Sequence, residues 1–253
     1  MRIIACYKSV PNDQEISVNS DKTLDTIHAQ LAISRYDLEA VEAAVQLSDE
    51  NDEVFVLTVS GVAADNSKLR KSILSRGPAQ LYAVHDGTAE IADSLKTALS
   101  LKAAVEKIDN VDLVLCGEGS EDMYCQEVGP ILGSLLGWST LNAVSSITRS
   151  ATGLRVERNI ENSTEVLEVP LPAVISVTAG INTPKIPSMR EILAAGKKPF
   201  TLWEAQEIGA ATENTIETLS ILAPEMTSRR GEVFNSESDD GIESFYQLLR
   251  KSL

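Results

Sequence analysis

The residues with the most chemical content lie in one stretch, Val111–Gly137, VDLVLCGEGSEDMYCQEVGPILGSLLG. An apolar run ends at Cys116, a loop of six residues follows from Gly117 to Asp122, and an apolar helical stripe continues through Val128, Ile131, Leu132, Leu135 and Leu136. In an open parallel sheet, ligands bind beyond the carboxyl ends of strands. Gly117 and Gly119 let a backbone approach a ligand closely, and unpaired N–H groups at a helix start favour phosphate. The segment is not a dinucleotide fingerprint, because Asp122 stands where the third glycine of GxGxxG would be. An ordinary strand–helix turn with Asp122 as N-cap is the other reading of the same residues.

Other chemistry is thinly represented. The two histidines, His28 and His85, have no metal-ligand spacing, and no GxSxG elbow or GxxxxGK[ST] loop occurs. Cys6, Cys116 and Cys125 are an odd number without CxxC spacing, as expected for thiols in a reducing compartment. A second informative stretch is Ala179–Pro199. Ser188 and Glu191 form a capping box, and Gly196 followed by Pro199 ends that helix. The loop before it, Ile181-Asn182-Thr183-Pro184-Lys185-Ile186-Pro187, is stiffened by two prolines. Ile181 and Ile186 beside Lys185 read as apolar tips presented to a partner, or as isoleucines folded back onto the core.

The elements that must position these residues alternate. Apolar runs at Arg2–Tyr7, Glu53–Val59, Gln80–Val84, Val111–Cys116 and Ala173–Val177 read as strands covered on both faces. Helical stripes lie between them: Leu38, Val41 and Val45 in one, Ile91, Leu95, Ala98 and Leu99 in another. This order predicts an α/β fold, an open and mainly parallel sheet with helices on both faces. Leu154–Ile160 with Val166–Val169 fits an antiparallel excursion. After Phe200 the pattern weakens, so residues 1–200 are expected to form the domain. Residues 201–253, with ten acids and four bases, are expected to form an arm ending in a helix around Ile242–Leu249. Apolar residues in it such as Trp203, Ile221 and Phe234 need another surface to lie on.

The chain has 253 residues and a net charge of −15. Such a surface repels nucleic acid and anionic lipid. Apolar runs stay well short of the roughly 20 residues that span a bilayer, and the start, Met1–Val10, reads as a strand rather than a signal peptide. A cytoplasmic location is expected.

Several ordered motifs carry a resemblance to a known family. They are RIIACYKSVPNDQEI at the start, ISRYDLEAVEAAVQL at Ile33–Leu47, SRGPAQLYAV at Ser75–Val84, LVLCGEGSEDMYCQEVGPILG, the LRVERNIEN…TEVLEVPLPAV hairpin, and INTPKIPSMREILAAGKKP. From Met1 to about Ile208 the chain resembles the β subunit of electron transfer flavoproteins, in the bacterial branch linked to nitrogen fixation and to carnitine or acyl-CoA metabolism. The resemblance implies an electron carrier and not a catalyst: one half of a heterodimer whose α subunit holds most of the redox FAD, the arm wrapping that subunit. It implies AMP, or in electron-bifurcating members a second FAD, in this subunit's own pocket. By position the pocket would use Cys6, Ser34, Arg35, Tyr36, Asp37 and Ser60. The loop containing Gly117, Gly119, Ser120, Asp122, Cys125, Gln126, Glu127, Val128 and Gly129 would hold the phosphates. Ile181, Asn182, Pro184, Lys185 and Ile186 would form a recognition loop, with an apolar anchor docking on an acyl-CoA dehydrogenase.

Three positions depart from the family's habit. Glu127 stands where Gln is common and Ile181 where Leu is usual, while Val128-Gly129-Pro130 looks more like members holding a second flavin. A stand-alone adenine-nucleotide sensor and a nucleotide hydrolase are the rival readings. The arm speaks against the first, the missing Walker-type lysine and metal ligands against the second.

Overall fold

In the computed structural model, residues 1–89, 92–210, 213–225 and 231–252 are described. The elements, in chain order, are β1 (Arg2–Cys6), β2 (Ser9–Pro11), β3 (Ser17–Val18), β4 (Leu24–Asp25), β5 (Leu31–Ile33), α1 (Arg35–Leu47), β6 (Glu53–Ser60), α2 (Ser67–Leu74) and β7 (Gln80–His85). They continue with α3 (Ser94–Ile108), β8 (Leu113–Gly117), α4 (Val128–Leu136), β9 (Ser139–Arg149), β10 (Leu154–Ile160), β11 (Ser163–Val169), β12 (Ala173–Val177), α5 (Met189–Ala195), β13 (Phe200–Glu204) and α6 (Asp239–Ser252).

Nine strands form one sheet in the order β11-β10-β9-β12-β8-β1-β6-β7-β13. From β9 to β13 every neighbouring pair is parallel; β9, β10 and β11 form the antiparallel excursion. The central strands β8 and β12 are buried along their whole length, which is why they read as unbroken Val, Leu and Ile runs. One apolar cluster packs α1, α2 and α5 on one face through Val41, Ala44, Leu69, Ile73 and Ala195. The other packs α3 and α4 on the opposite face through Ala98, Leu101, Val105 and Leu132. The α/β expectation holds, and the α1 stripe faces inward, with Val41 fully buried and Leu38 and Val45 packed against the core. Of the α3 stripe Ala98 is buried, but the buried face of that helix runs through Leu101, Ala104 and Val105 and leaves Leu95 and Leu99 half-exposed. Ile91 lies outside the described residues.

The sheet runs past the expected domain boundary. Residues 200–204 form β13, which pairs in parallel with β7 from Phe200↔Leu81 to Glu204↔His85. Ala205 and Ala210 are buried in the core beyond it. An edge strand is half-exposed, so its sequence, FTLWE, alternates weakly and carries no continuous apolar run. Beyond Ala210 the described arm is exposed. Leu219, Ile221, Leu222 and, on α6, Ile242, Phe245, Tyr246 and Leu249 all face solvent in the isolated chain.

Strand order sets the location of any site. β1 leads through α1 to β6 on one side, whereas β7 leads through α3 to β8 on the other side of β1. The chain thus changes direction between β1 and β8, and the crevice at their carboxyl ends is the ligand position of this topology.

Candidate nucleotide cleft

A cleft of about 300 Å³ opens at that switch point. Its floor is the end of β1, with Cys6, Tyr7 and Lys8, and the end of β8, with Cys116 and Gly117. Gly119, Ser120, Cys125, Gln126, Glu127, Val128 and Gly129 come in from the β8–α4 loop. Asp93, Ser94, Thr97 and Leu101 of α3 and its N-cap form the opposite side.

The floor is held by one buried carboxylate. Asp37, near the start of α1, accepts the Lys8 N–H at 2.7 Å and also the Gly117 N–H. It thereby ties α1 to both strands. Burial pushes its pKa up to about 7 in spite of those two donors. Gly117 is required here by space: a Cβ at this position would lie 2.7 Å from Asp37 Oδ1 and from the Tyr36 backbone carbon. Cys6 and Cys116 adjoin at the end of β1 and β8, both buried. A thiol hydrogen bond to Cys116, reinforced by burial, raises the Cys6 pKa well above its usual value.

The helix after the loop begins later than the sequence implies. Asp122 is not its N-cap; α4 starts at Val128, with Glu127 as the N-cap residue. Asp122 is engaged with Lys8 at 2.6 Å and accepts the Met123 N–H at 2.9 Å. Burial raises its pKa, but these partners and Ser120 outweigh it and hold the carboxyl low. The delay arises because Tyr124 and Gln126 adopt positive φ, 47° and 60°, which breaks any helix before 127. Glu127 lines the cleft and makes no side-chain capping bond to the α4 amides. Gly129 and Gly133 let α4 settle on the sheet: Cβ atoms there would stand 2.1 Å from Ser176 Oγ and Thr140 Oγ1. That contact aims the first turn of α4 at the cleft.

Most of the sequence-expected residues meet. Cys6, Asp37 and the loop residues from Gly117 to Gly129 named above share the main cleft, and Ser60 and Asp122 line a smaller hollow beside it with Lys8 and Ser9. Ser34, Arg35 and Tyr36 do not line it. Ser34 is the fully buried N-cap of α1, Arg35 is engaged with Glu121, and Tyr36 packs against Tyr124 with the rings tilted and centroids 5.2 Å apart. Lys8, Asp93, Thr97, Leu101, Ile216 and Thr218 are lining residues that pattern reading did not single out. The D-x-x-K at Asp93–Lys96 is an N-cap signal for α3 that would have pointed to this side.

The expected recognition loop is built differently from the sequence reading. Ile186 is 90% exposed, but Ile181 packs against the core. The chain turns back at Gly180, φ 84°, and is sewn to α1: Gly180 N–H donates to Glu39 Oε2 at 2.5 Å, Asn182 Nδ2 to the Glu39 carbonyl at 2.9 Å and Lys185 N–H to Glu42 Oε2 at 3.0 Å. Pro184 is half-buried and Lys185 pairs with Glu191. The capping box of Ser188 and Glu191 forms as expected. Next to Ile186, Met189 and Leu193 of α5 are also exposed.

Among the described residues no helix is long and apolar enough to cross a membrane. A sequence-family model described as the electron transfer flavoprotein domain matches residues 22–208, from the β3–β4 ribbon through the turn after β13. With well over half of the chain matched and an open α/β sheet carrying a switch-point cleft, this protein belongs to the electron transfer flavoprotein family, whose members carry electrons on flavin.

Proposed function

We propose that this chain is the β subunit of a heterodimeric electron transfer flavoprotein, resident in the cytoplasm, and that its cleft holds an adenine nucleotide. One observation carries the reading: the β1 and β8 ends, the β8–α4 loop and the start of α3 converge on a single cleft at the topological switch point. The lining suits the ligand. Val59, Leu101, Ala89 and Val128 offer an apolar slot for an adenine ring, and Lys8 with the first-turn amides of α4 offers donors to a phosphate. At about 300 Å³ the cleft lies at the small end of the range for ligand pockets, roughly 300–1,000 Å³. That size favours AMP over a second FAD.

Bound flavin supplies the one- and two-electron chemistry. This chain's residues bind and position: Asp37 fixes the cleft floor, the exposed arm offers apolar residues to the α subunit, and the loop before α5 meets a flavin dehydrogenase of the acyl-CoA class. The exposed stripe Ile242, Phe245, Tyr246 and Leu249 on α6, spaced i, i+3, i+4, i+7, supports a partnered chain over a stand-alone nucleotide sensor. Co-purification followed by denaturation and chromatography of the released cofactors tests the reading. One FAD and one AMP per heterodimer is the expected yield. A chain that purifies alone, without a flavin-bearing partner, would overturn it.

A further inference from the structure

The arm does not simply leave the domain after Ala210; it first crosses the cleft mouth. Asp93, the N-cap of α3, accepts the Lys96 N–H at 2.7 Å through Oδ1. Its other oxygen, Oδ2, accepts the Thr215 N–H at 2.6 Å, the Thr215 hydroxyl at 2.8 Å and the Ile216 N–H at 3.0 Å. Asn214 Oδ1 accepts the Asp93 N–H at 3.3 Å in return. Burial opposes the charge, yet these donors hold the Asp93 carboxyl down at about 2. Immediately beyond this clasp, Ile216 and Thr218 line the cleft. Ile216 is 67% exposed there, an apolar side chain at the rim of a cavity with nothing yet covering it. Farther along, the arm touches the domain again through the Thr23↔Leu222 bridge and the Lys22–Glu225 pair at 2.7 Å.

We propose that residues 214–218 are a strap forming the outer wall of the cleft, latched by Asp93, and that Ile216 and Thr218 are ligand-contacting residues. The identity of the ligand rests on the nucleotide reading above; the strap itself does not. An adenine nucleotide in the cleft covers the exposed face of Ile216 and must displace the strap to leave. Because the strap is continuous with the arm, whatever seats the arm also biases the strap. Partner association and nucleotide retention are then linked, each strengthening the other by the same factor.

The chain carries its own reporters. All three cysteines line this cleft, Cys6 and Cys116 buried in its floor and Cys125 exposed at its edge. Two variants of the full-length chain weaken the latch from opposite sides. Asp93→Ser keeps a hydroxyl able to cap α3 but is too short to reach the strap; Thr215→Pro removes two of the three strap donors to Asp93, the Thr215 amide and hydroxyl, and leaves α3 intact. Iodoacetamide labelling followed by peptide mass mapping, beside stopped-flow AMP dissociation, reads the result. Leu154→Ala, a core variant in β10 on the other face of the sheet, sets the labelling rate produced by global destabilisation alone. Losing the latch is expected to accelerate labelling of Cys6 and Cys116 about tenfold beyond that control, the factor for roughly 1.4 kcal/mol of lost hydrogen bonding. Cys125 should be unchanged, and AMP dissociation should quicken by a similar factor. Labelling at the control rate in both variants overturns the strap. Accelerated labelling in a protein that binds no AMP upholds the strap and overturns the nucleotide reading.

Discussion

Two carboxylates define the cleft at the level of single residues. Glu127 occupies the N-cap of α4 without capping it, and on the nucleotide reading proposed above its carboxylate would oppose a phosphate at the helix amides. Glu127→Gln should tighten AMP binding by up to about 1 kcal/mol, the scale of a solvent-screened charge; calorimetric titration of nucleotide-free protein measures it, and equal or weaker affinity would place the phosphate elsewhere along the loop. Asp37 sets a pH dependence of the opposite kind to a surface ion pair. Its pKa is raised from the ordinary 3.8 to about 7 in the folded chain, so between those values the native state binds the proton more tightly than the unfolded one. Stability therefore falls as pH rises from about 4 to about 7, and levels off above. The difference in melting temperature between wild type and Asp37→Asn, followed from pH 5 to pH 8, isolates this contribution; a difference independent of pH would show that Asp37 is ionised throughout. The sequence disclosed both residues as cleft neighbours and read Glu127 as a charge opposing phosphate, but placed it a turn inside the helix and gave Asp37 no role in holding the floor. The roles depend on where α4 starts and on what buries Asp37, and no local pattern encodes either.

Elements built from apolar runs were legible because burial on both faces leaves few polar positions in the strand; β1, β6, β8 and β12 are of this kind, and β7 is buried at Leu81, Ala83 and Val84. Those whose fate depends on a neighbour were not. β13 exists only because β7 offers a free edge, and α4 was misplaced because two positive-φ residues, Tyr124 and Gln126, interrupt what reads as one segment. The loop before α5 shows the same limit: Ile181 and Ile186 look equivalent in sequence, yet bonds to Glu39 and Glu42 turn one inward and leave the other out. The two should separate experimentally. Ile186→Ala should leave the melting temperature unchanged while slowing electron transfer with the physiological dehydrogenase several-fold, as truncation of an interface anchor does. Ile181→Ala should lower stability by about 1–3 kcal/mol through loss of a half-buried side chain. Stopped-flow rates and thermal melts on both proteins decide it, and unaffected transfer by Ile186→Ala would remove that side chain from the docking surface.

For the whole molecule, the boundary that matters lies after Ala210 and not after Phe200. Removing residues 211–253 should preserve the sheet and a cooperative melt while abolishing one-to-one co-elution with the α subunit in size-exclusion chromatography. A truncation after Phe200 deletes β13 and the buried Ala205 and Ala210, and should lower the melting temperature as well. Persistent co-elution of the shorter chain would assign the subunit contact to the domain itself. The acidic balance of the arm was plain in the sequence; its clasp on Asp93 was not, since it joins residues more than 120 positions apart.

The central place of β1 bears on how the chain is made. The earliest strand of this sheet to be synthesised, β1, pairs with residues 53–57 on one side and 113–115 on the other. Its second edge stays open until β8 has emerged. Loop closure over such separations is slow, and an unpaired strand edge invites pairing with another chain. The antiparallel run β9–β10–β11, by contrast, is local and can close as soon as it is synthesised. The nascent sheet therefore carries an open edge on β1 until β8 is made, and the cleft comes into being with the strand that closes it.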